Sequence, residues 1–174
     1  MPPCPGIYRA VEVELKLTGP LADALAREAR KRGVGVEMLL ALLMAKGMDG
    51  QKRMAFYAKL HGSLLDEAEE HYRAGELVQA GEKLWGVVCA LLSAIGELKG
   101  LPHYSHRDYV DIIEALVQET GDRELARFFA SAERLHASFY HAFLSRPSFE
   151  AHREDALRLV GKLRELLAKA GGGH

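Results

Sequence analysis

Asparagine is absent from this chain of 174 residues, and cysteine and tryptophan are nearly so. The two cysteines, Cys4 and Cys89, do not have the spacing of a metal site and are too few for a disulfide framework. Glutamine is also scarce and arginine outnumbers lysine. Because side-chain amides are thermolabile, this composition indicates a protein from a thermophilic source.

Excess charge and long apolar runs are lacking as well. The chain has 23 basic and 24 acidic residues and a net charge of -1, which argues against a surface devoted to nucleic acid but leaves room for a local basic patch. The longest apolar run, Met38 to Ala45, is too short to span a bilayer, and no signal peptide is recognisable. We therefore expect a soluble, cytoplasmic protein with no membrane partner and no cofactor.

Residues 1–49 predict a small strand-helix-helix segment. From Tyr8 to Leu17 apolar and charged residues alternate, which is typical of a strand, and two short helices follow. A lone strand leaves its backbone groups without partners. We therefore expect it to pair with the same strand of a second copy, giving a homodimer through residues 8–47. The alternative is a strand that docks on the rest of the chain with one edge in solvent.

That order of elements resembles the ribbon-helix-helix module, in which two chains pair their strands and bury both helix pairs. In its DNA-binding members the exposed strand residues read the major groove. Here Glu12 and Glu14 occupy such positions, and their carboxylates would repel phosphate. The resemblance therefore favours a dimerisation segment over a DNA-binding one.

Residues 50–170 predict an all-α, antiparallel bundle of about five helices. Residues 74–100 form its centre, because they hold the longest helical pattern of apolar residues and the single tryptophan, Trp85. Two apolar faces on one helix require neighbours on most sides. The other predicted helices span 51–73, 105–119, 123–145 and 149–168, and each has one apolar face.

Three segments carry a family resemblance: GELVQAGEKLWG, the histidine of SHRDYV, and AERLHASFY. In that order they resemble the archaeal PaREP family, whose helical part is grouped with HEPN-type bundles (higher eukaryotes and prokaryotes nucleotide-binding). The resemblance covers about residues 51–167 and implies a fold, with no established activity. It places recurrent family positions at Glu82, Lys83, Trp85, Gly86, His106, Leu135, His136, Phe139 and Tyr140. At Ser138 and His141 the chain departs from the family pattern.

Ribonucleases of the wider HEPN group use an arginine and a histidine with four to six residues between them. Imidazole can take the proton of a ribose 2'-hydroxyl while guanidinium holds the phosphate. The best matches are Arg134 with His141 and Arg146 with His152, and His136 is a further candidate base. With so many arginines and histidines, about two such matches are expected by chance. We expect Arg134 and His141 to lie on a solvated helix face.

The candidate binding residues are Glu82, Lys83, Trp85, His106, His136 and Tyr140. His136 borders an apolar stripe, where a histidine is most often a satisfied core residue. The functional interpretation places Glu82, His106 and His136 in one pocket. The structural alternative makes Glu82 and Lys83 part of an ion-pair network with arginine or lysine of a neighbouring helix.

A metal site is not predicted. His103 and His106 with Asp108 and Asp111 have suitable ligand types, but at a loop-helix junction the same residues serve as caps.

Three functions follow from these observations. The favoured one is a homodimeric HEPN-like binding or assembly module for a nucleotide, RNA or a partner protein, without catalysis. The second is a metal-independent ribonuclease of toxin-antitoxin type, and the third is a DNA-binding regulator acting through the N-terminal segment.

Overall fold

The computed structural model describes residues 13–171, and over that range the chain forms helices and no β-strand. The helices are α1 Gly19–Arg32, α2 Val36–Ala45, α3 Gly50–Arg73, α4 Leu77–Lys99, α5 His106–Thr120, α6 Glu124–His141 and α7 Arg146–Gly171. The all-α class predicted from the sequence is confirmed.

The predicted strand over Tyr8 to Leu17 is wrong. Residues 8–12 lie outside the described range, and residues 13–17 have no regular secondary structure. Val13 and Leu15 are 71% and 68% exposed, so their side of the alternation has no apolar surface of this chain to cover it. Because strand propensity reflects packing of a half-buried surface, alternation without burial does not produce a strand. The strand-helix-helix segment and its strand pairing with a second copy are overturned with it.

Self-association through residues 8–47 stays a prediction, without the shared strand. Within that range, the outer face of α2 exposes Val36, Leu43 and Met44. The inner face of α2 packs into the same core as α4, with Leu39 and Leu42 fully buried. The predicted boundary at residue 49 therefore does not separate two apolar cores, and whether it separates two folding units is untested.

Capping residues fix the starts of two bundle helices. Asp49 Oδ1 accepts a hydrogen bond from the backbone N–H of Lys52 at 2.9 Å. Ser105 Oγ, at the start of α5, accepts from the backbone N–H of Asp108 at 3.3 Å. Each satisfies an N–H group that has no intrahelical partner.

The end of α6 differs from the prediction. This helix stops at His141, where Ala142 adopts a left-handed φ of 46° and its N–H bonds to Ser138 O at 2.7 Å. Pro147 lies in the first turn of α7 and does not itself end α6. Proline fits that position because the N–H that it lacks would have had no intrahelical partner.

The predicted antiparallel arrangement is right only in part. Helix α4 runs antiparallel to α3 but parallel to α7, since Gly81 lies close to Phe149 at the start of both helices and Ile95 lines a cleft with Leu166 near their ends. Between α3 and α4, Arg53 bonds to Glu97 at 2.7 Å and Glu67 bonds to Lys83 at 2.5 Å. Helices α3 and α7 are also antiparallel, since Glu69 bonds to Arg153 and His61 bonds to Arg164. So are α6 and α7, because Asp122, just before α6, bonds to Lys162 and Ser131 bonds to Asp155.

Helix α4 is the centre of the bundle. Every residue from Leu84 to Gly96 is buried, because α2, α3, α5, α6 and α7 all pack against it. Gly86 lets Leu64 of α3 approach closely, since a Cβ at position 86 would lie 3.3 Å from Leu64 Cδ1. By length and composition α4 is apolar enough to cross a membrane, but 78% of its most apolar window is buried inside the bundle. Core helices of folded domains pass the same compositional test.

His61 provides a pH-dependent contact between α3 and α7. Arg164 Nε donates to His61 Nε2 at 2.9 Å, and burial, followed by the charge of Arg164, lowers the pKa of His61. As the pH falls, His61 is therefore protonated in the unfolded chain before it is protonated in the folded one. The contribution of neutral His61 to the free energy of unfolding is complete above the unfolded pKa of about 6.5 and is lost as the pH falls through the folded pKa.

We expect His61→Gln to reduce the loss of melting temperature between about pH 7.5 and pH 5.5, because glutamine can accept the same hydrogen bond without titrating. Thermal melts of both proteins across that range measure the difference. An equal loss in the variant would show that other groups carry the acid sensitivity.

Candidate functional site

A pocket of about 410 Å³ lies between the α1–α2 pair and the bundle. Most of its surface is apolar, and four charged side chains, Arg30, Glu37, Glu82 and Lys83, reach it. The remaining lining residues are Ala26, Ala29, Gly35, Val36, Met38, Leu64, Gln79, Gly86, Phe139 and Tyr140. Its volume falls in the range of small-molecule sites.

The side chain of Glu82 lines this pocket. Its Oε2 accepts a hydrogen bond from His136 Nδ1 at 2.7 Å, and the two side chains are only 12% and 13% exposed. Its Oε1 is buried and has no hydrogen-bond partner among the described residues. Because an unsatisfied buried acceptor is costly, this oxygen marks a position where a donor is wanted.

Gly35 packs against that oxygen. A Cβ at position 35 would lie 2.7 Å from Glu82 Oε1, closer than real Cβ contacts allow. The backbone of Gly35 is ordinary, with φ -70° and ψ 160°, so glycine is not required there by backbone conformation. A larger residue at position 35 would instead force the Glu82 carboxylate to move.

Trp85 connects the site to the N-terminal helices. Its Nε1–H donates to Gly33 O at 3.0 Å, in the turn between α1 and α2. The His136 ring stacks on the indole, with centroids 5.2 Å apart and an interplanar angle of 23°. The His106 ring lies 6.0 Å from the same indole and bonds through Nε2 to Glu133 at 2.5 Å.

Glu82, His106 and His136 therefore do not share one pocket. Glu82 lines the pocket, whereas His136 and His106 are both absent from the lining. His136 bonds to Glu82 and His106 bonds to Glu133, and the two histidine-carboxylate pairs have Trp85 as their common neighbour. The single pocket of the functional interpretation is thus replaced by two separate pairs.

Lys83 ties three helices together at the edge of the pocket. Its Nζ bonds to Glu37 of α2 and to Glu67 of α3. Burial opposes the charged form, but these two carboxylates outweigh it and raise the pKa of Lys83. The prediction that arginine or lysine of a neighbouring helix would pair with this segment is therefore wrong. Lys83 pairs with two carboxylates, and Glu82 pairs with a histidine.

Arg30 and Tyr140 close another side of the pocket. The Arg30 guanidinium lies 5.1 Å from the centre of the Tyr140 ring, and that ring meets His136 edge-on at 5.3 Å. Burial, and then the charge of Glu82, raises the pKa of Tyr140. Among the described residues no carboxylate forms an ion pair with Arg30, whose guanidinium meets Tyr140 instead.

The candidate ribonuclease pair Arg134 and His141 is not assembled into a site. Arg134 is exposed and its guanidinium lies 4.6 Å from the Phe143 ring centre, while His141 is exposed at the end of α6. The expectation of a wholly solvated face is wrong in part, because Ser131 and Ser138 on that face are buried.

The second arginine-histidine pair is also separated. Arg146 bonds to Glu150 at 3.5 Å, whereas His152 Nδ1 lies 3.2 Å from Ser131 Oγ. The guanidinium and the imidazole are thus turned to different partners. Neither pair surrounds a common space in the part of the chain that the structure describes.

His103 and His106 likewise face different surroundings. His103 is buried and its Nδ1–H donates to Leu101 O at 2.9 Å, whereas His106 bonds to Glu133. Over residues 13–171, no group of three histidine, cysteine or acidic side chains is arranged to hold a metal.

Arg30 and Gly35 are the site residues that the sequence interpretation missed. The available signal was the Gly33-Val34-Gly35 turn, in which Gly33 has the left-handed φ of 67° that ends α1. Gly35, two residues later, has an ordinary backbone conformation, so a glycine there indicates that another part of the chain packs closely against it.

The profile of the Archaeal PaREP1/PaREP8 family matches residues 56–160. No curated protein and no solved structure matches the chain. The matched range contains Glu82, Trp85 and His136, whereas Arg30 and Gly35 lie outside it.

Proposed function

We propose that this chain, which belongs to the archaeal PaREP1/PaREP8 family, is a binding module whose ligand occupies the pocket between the α1–α2 pair and the bundle. The observation that carries the proposal is Glu82 Oε1, a buried acceptor without a partner in a side chain that lines the pocket. A ligand N–H would satisfy that oxygen, and His136 holds the carboxylate in place through Oε2.

The ligand that fits best is a nucleotide. The pocket is largely apolar and about 410 Å³ in volume, so it can take a flat base whose ring or exocyclic N–H donates to Glu82. The guanidinium of Arg30 lies at the same pocket and would meet the phosphate. One molecule that has N–H donors on a flat ring and negative charge at its other end satisfies both groups.

The bundle of α3 to α7 is proposed to be HEPN-like. Support comes from the central, almost wholly buried α4 and the helices that surround it. A ribonuclease is a weaker candidate, because Arg134 and His141 do not converge on a shared space. Binding without catalysis is therefore the favoured function.

Trp85 provides the direct test. It is the only tryptophan and stacks on His136, the partner of Glu82, so its fluorescence should respond to an occupied pocket. We expect titration with the four ribonucleoside monophosphates to give a saturable change in emission that depends on the base. Isothermal titration calorimetry with the same nucleotides should show 1:1 binding.

Gly35→Ala tests the location of the site. The new Cβ would lie 2.7 Å from Glu82 Oε1 and displace the carboxylate, so we expect nucleotide affinity to fall at least about tenfold, the cost of losing one charge-assisted hydrogen bond. Thermal melts should show that the variant remains folded.

Gly62→Ala is the matched control, because a Cβ at that helical position meets nothing within 4 Å. It should bind like the wild type and melt slightly higher, since alanine favours a helix interior. Unchanged affinity in a folded Gly35→Ala variant would place the ligand elsewhere, and no binding of any nucleotide to the wild type would reject the proposed ligand.

A further inference from the structure

The nucleotide pocket opens onto a surface of unpaired cations along α1. Arg30, at the pocket, also lines a shallow cleft on α1 together with Arg27 and Lys31. Lys31 in turn lines a third cleft that includes Arg32, Lys46 and the start of α5 at Tyr104 and Ser105. The first two cavities share Arg30 and the last two share Lys31, so the three adjoin one another across α1 and are described together as one groove.

Positive charge dominates this groove. Asp23 and Glu28 are the acidic residues of the two outer clefts, and Glu28 is already bonded to Arg32 at 2.7 Å. Arg27, Arg30, Lys31 and Lys46 form no ion pair with a carboxylate of the described residues. The local basic patch that a near-neutral chain allows is therefore present here.

We propose that this groove, the α1 track, binds the phosphodiester backbone of a single-stranded nucleic acid and leads one unstacked base into the Glu82 pocket. Binding of that base in the Glu82 pocket rests on the proposed function. Binding of the phosphates depends only on the cations of the track. Arg27, Lys31 and Lys46 contact successive phosphates, and Arg30 contacts the phosphate at the pocket.

Exposed aromatic rings favour a single strand over a duplex. Tyr140 at the pocket is 36% exposed and Tyr104 in the third cleft is 38% exposed. Aromatic side chains beside a positively charged groove bind single strands by stacking on bases that a duplex keeps paired. A base can also enter the Glu82 pocket only when it is unpaired.

The experiment measures the anisotropy of a fluorescently labelled ten-nucleotide RNA with no self-complementarity, across about 0.05 to 0.3 M salt. The test variant carries Arg27→Gln, Lys31→Gln and Lys46→Gln. We expect RNA affinity at least about tenfold weaker at 0.1 M salt, and a salt slope smaller by about 2, since each lost phosphate contact on a single strand contributes about 0.7.

The control variant removes three cations elsewhere: Lys59→Gln, Arg73→Gln and Lys169→Gln, all on exposed residues of α3 and α7. It changes the net charge by the same amount and should bind RNA like the wild type. Equal weakening in both variants would mean nonspecific attraction and would overturn the track, as would RNA binding unaffected by either.

Binding of other ligands distinguishes single-stranded nucleic acid from other partners. The same measurements distinguish the α1 track from the nucleotide pocket. Single-stranded DNA should bind through the same cations, whereas equal binding of duplex, or of a poly-glutamate peptide, would overturn the choice of single-stranded nucleic acid. Gly35→Ala should abolish the base preference while leaving the salt slope unchanged. RNA binding through the track without mononucleotide binding would keep the track and reject the nucleotide pocket, and the reverse result would reject the track alone.

Discussion

Replacing Glu82 by glutamine is expected to weaken nucleotide binding by about 10- to 100-fold, the range that a hydrogen bond to a charged group supplies. Glutamine keeps the shape of the side chain, and its carbonyl oxygen can still accept from His136 Nδ1, which lies 2.7 Å from Glu82 Oε2. The amide NH₂ must then point to the pocket, in the place of Oε1. A donor would face the ligand donor, so the change reverses the hydrogen-bonding character of the site.

Stability should change much less than affinity. The hydrogen bond to His136 is retained in neutral form, so we expect Glu82→Gln to lower the free energy of unfolding by about 1 kcal/mol or less. Calorimetric titration and thermal melts of the same samples give both quantities.

Glu133→Gln is the matched control. It alters the other histidine-carboxylate pair beside Trp85, that of His106, which is not part of the pocket lining. Nucleotide affinity should therefore be unchanged. If instead Glu82→Gln lowers the melting temperature and leaves affinity intact, Glu82 is a structural ion-pair residue and the binding site is rejected.

The helices were predictable because the apolar period and the tertiary structure agree. In α4 the same residues that repeat at helical spacing are buried, and Ser105 caps α5 as its position suggested. The strand was not predictable, since alternation over residues 13–17 resembles a strand whether or not a surface covers one side. Local pattern determines structure only where burial follows it.

The site was predictable only in part, because its defining distances connect residues far apart in the chain. Glu82 and His136 could be selected as polar residues at the edges of apolar faces, but their 2.7 Å contact depends on how α4 and α6 pack. His106 was wrongly grouped with them because periodicity gives no indication that the Trp85 ring is the common neighbour. Gly35 matters because it has no Cβ where Glu82 packs against it. That contact joins residues far apart in the chain, so no local sequence pattern indicates it.

Trp85→Phe is expected to loosen α1 while the rest of the bundle stays folded. Trp85 is fully buried, yet its Nε1–H reaches out of the core to Gly33 O at the end of α1. Within α1 only Ala29 is buried, so few other contacts hold this helix against the bundle. Phenylalanine keeps much of the apolar packing and leaves the Gly33 carbonyl without its donor, at a cost of about 1 to 3 kcal/mol.

Hydrogen exchange measures this effect by region. Amides of α1 should exchange about 10- to 100-fold faster in Trp85→Phe, because local opening reports the free energy of the contacts that are lost. Amides of α4 and α7 should change less.

Phe128→Leu is the control, since Phe128 is a buried residue of α6 whose truncation weakens the bundle without touching the α1–α2 turn. In Phe128→Leu, the ratio of amide exchange rates between α1 and α4 should be the same as in the wild type. Equal acceleration over all helices in Trp85→Phe would make Trp85 an ordinary core residue.

Selective loosening of α1 would have a direct consequence for binding. Arg30 lies on α1 and Gly35 follows the Gly33 turn that Trp85 holds, so loss of that hydrogen bond would let the Arg30 side of the pocket move relative to Glu82. Trp85 would then organise the core with its ring and position the ligand pocket with its N–H group.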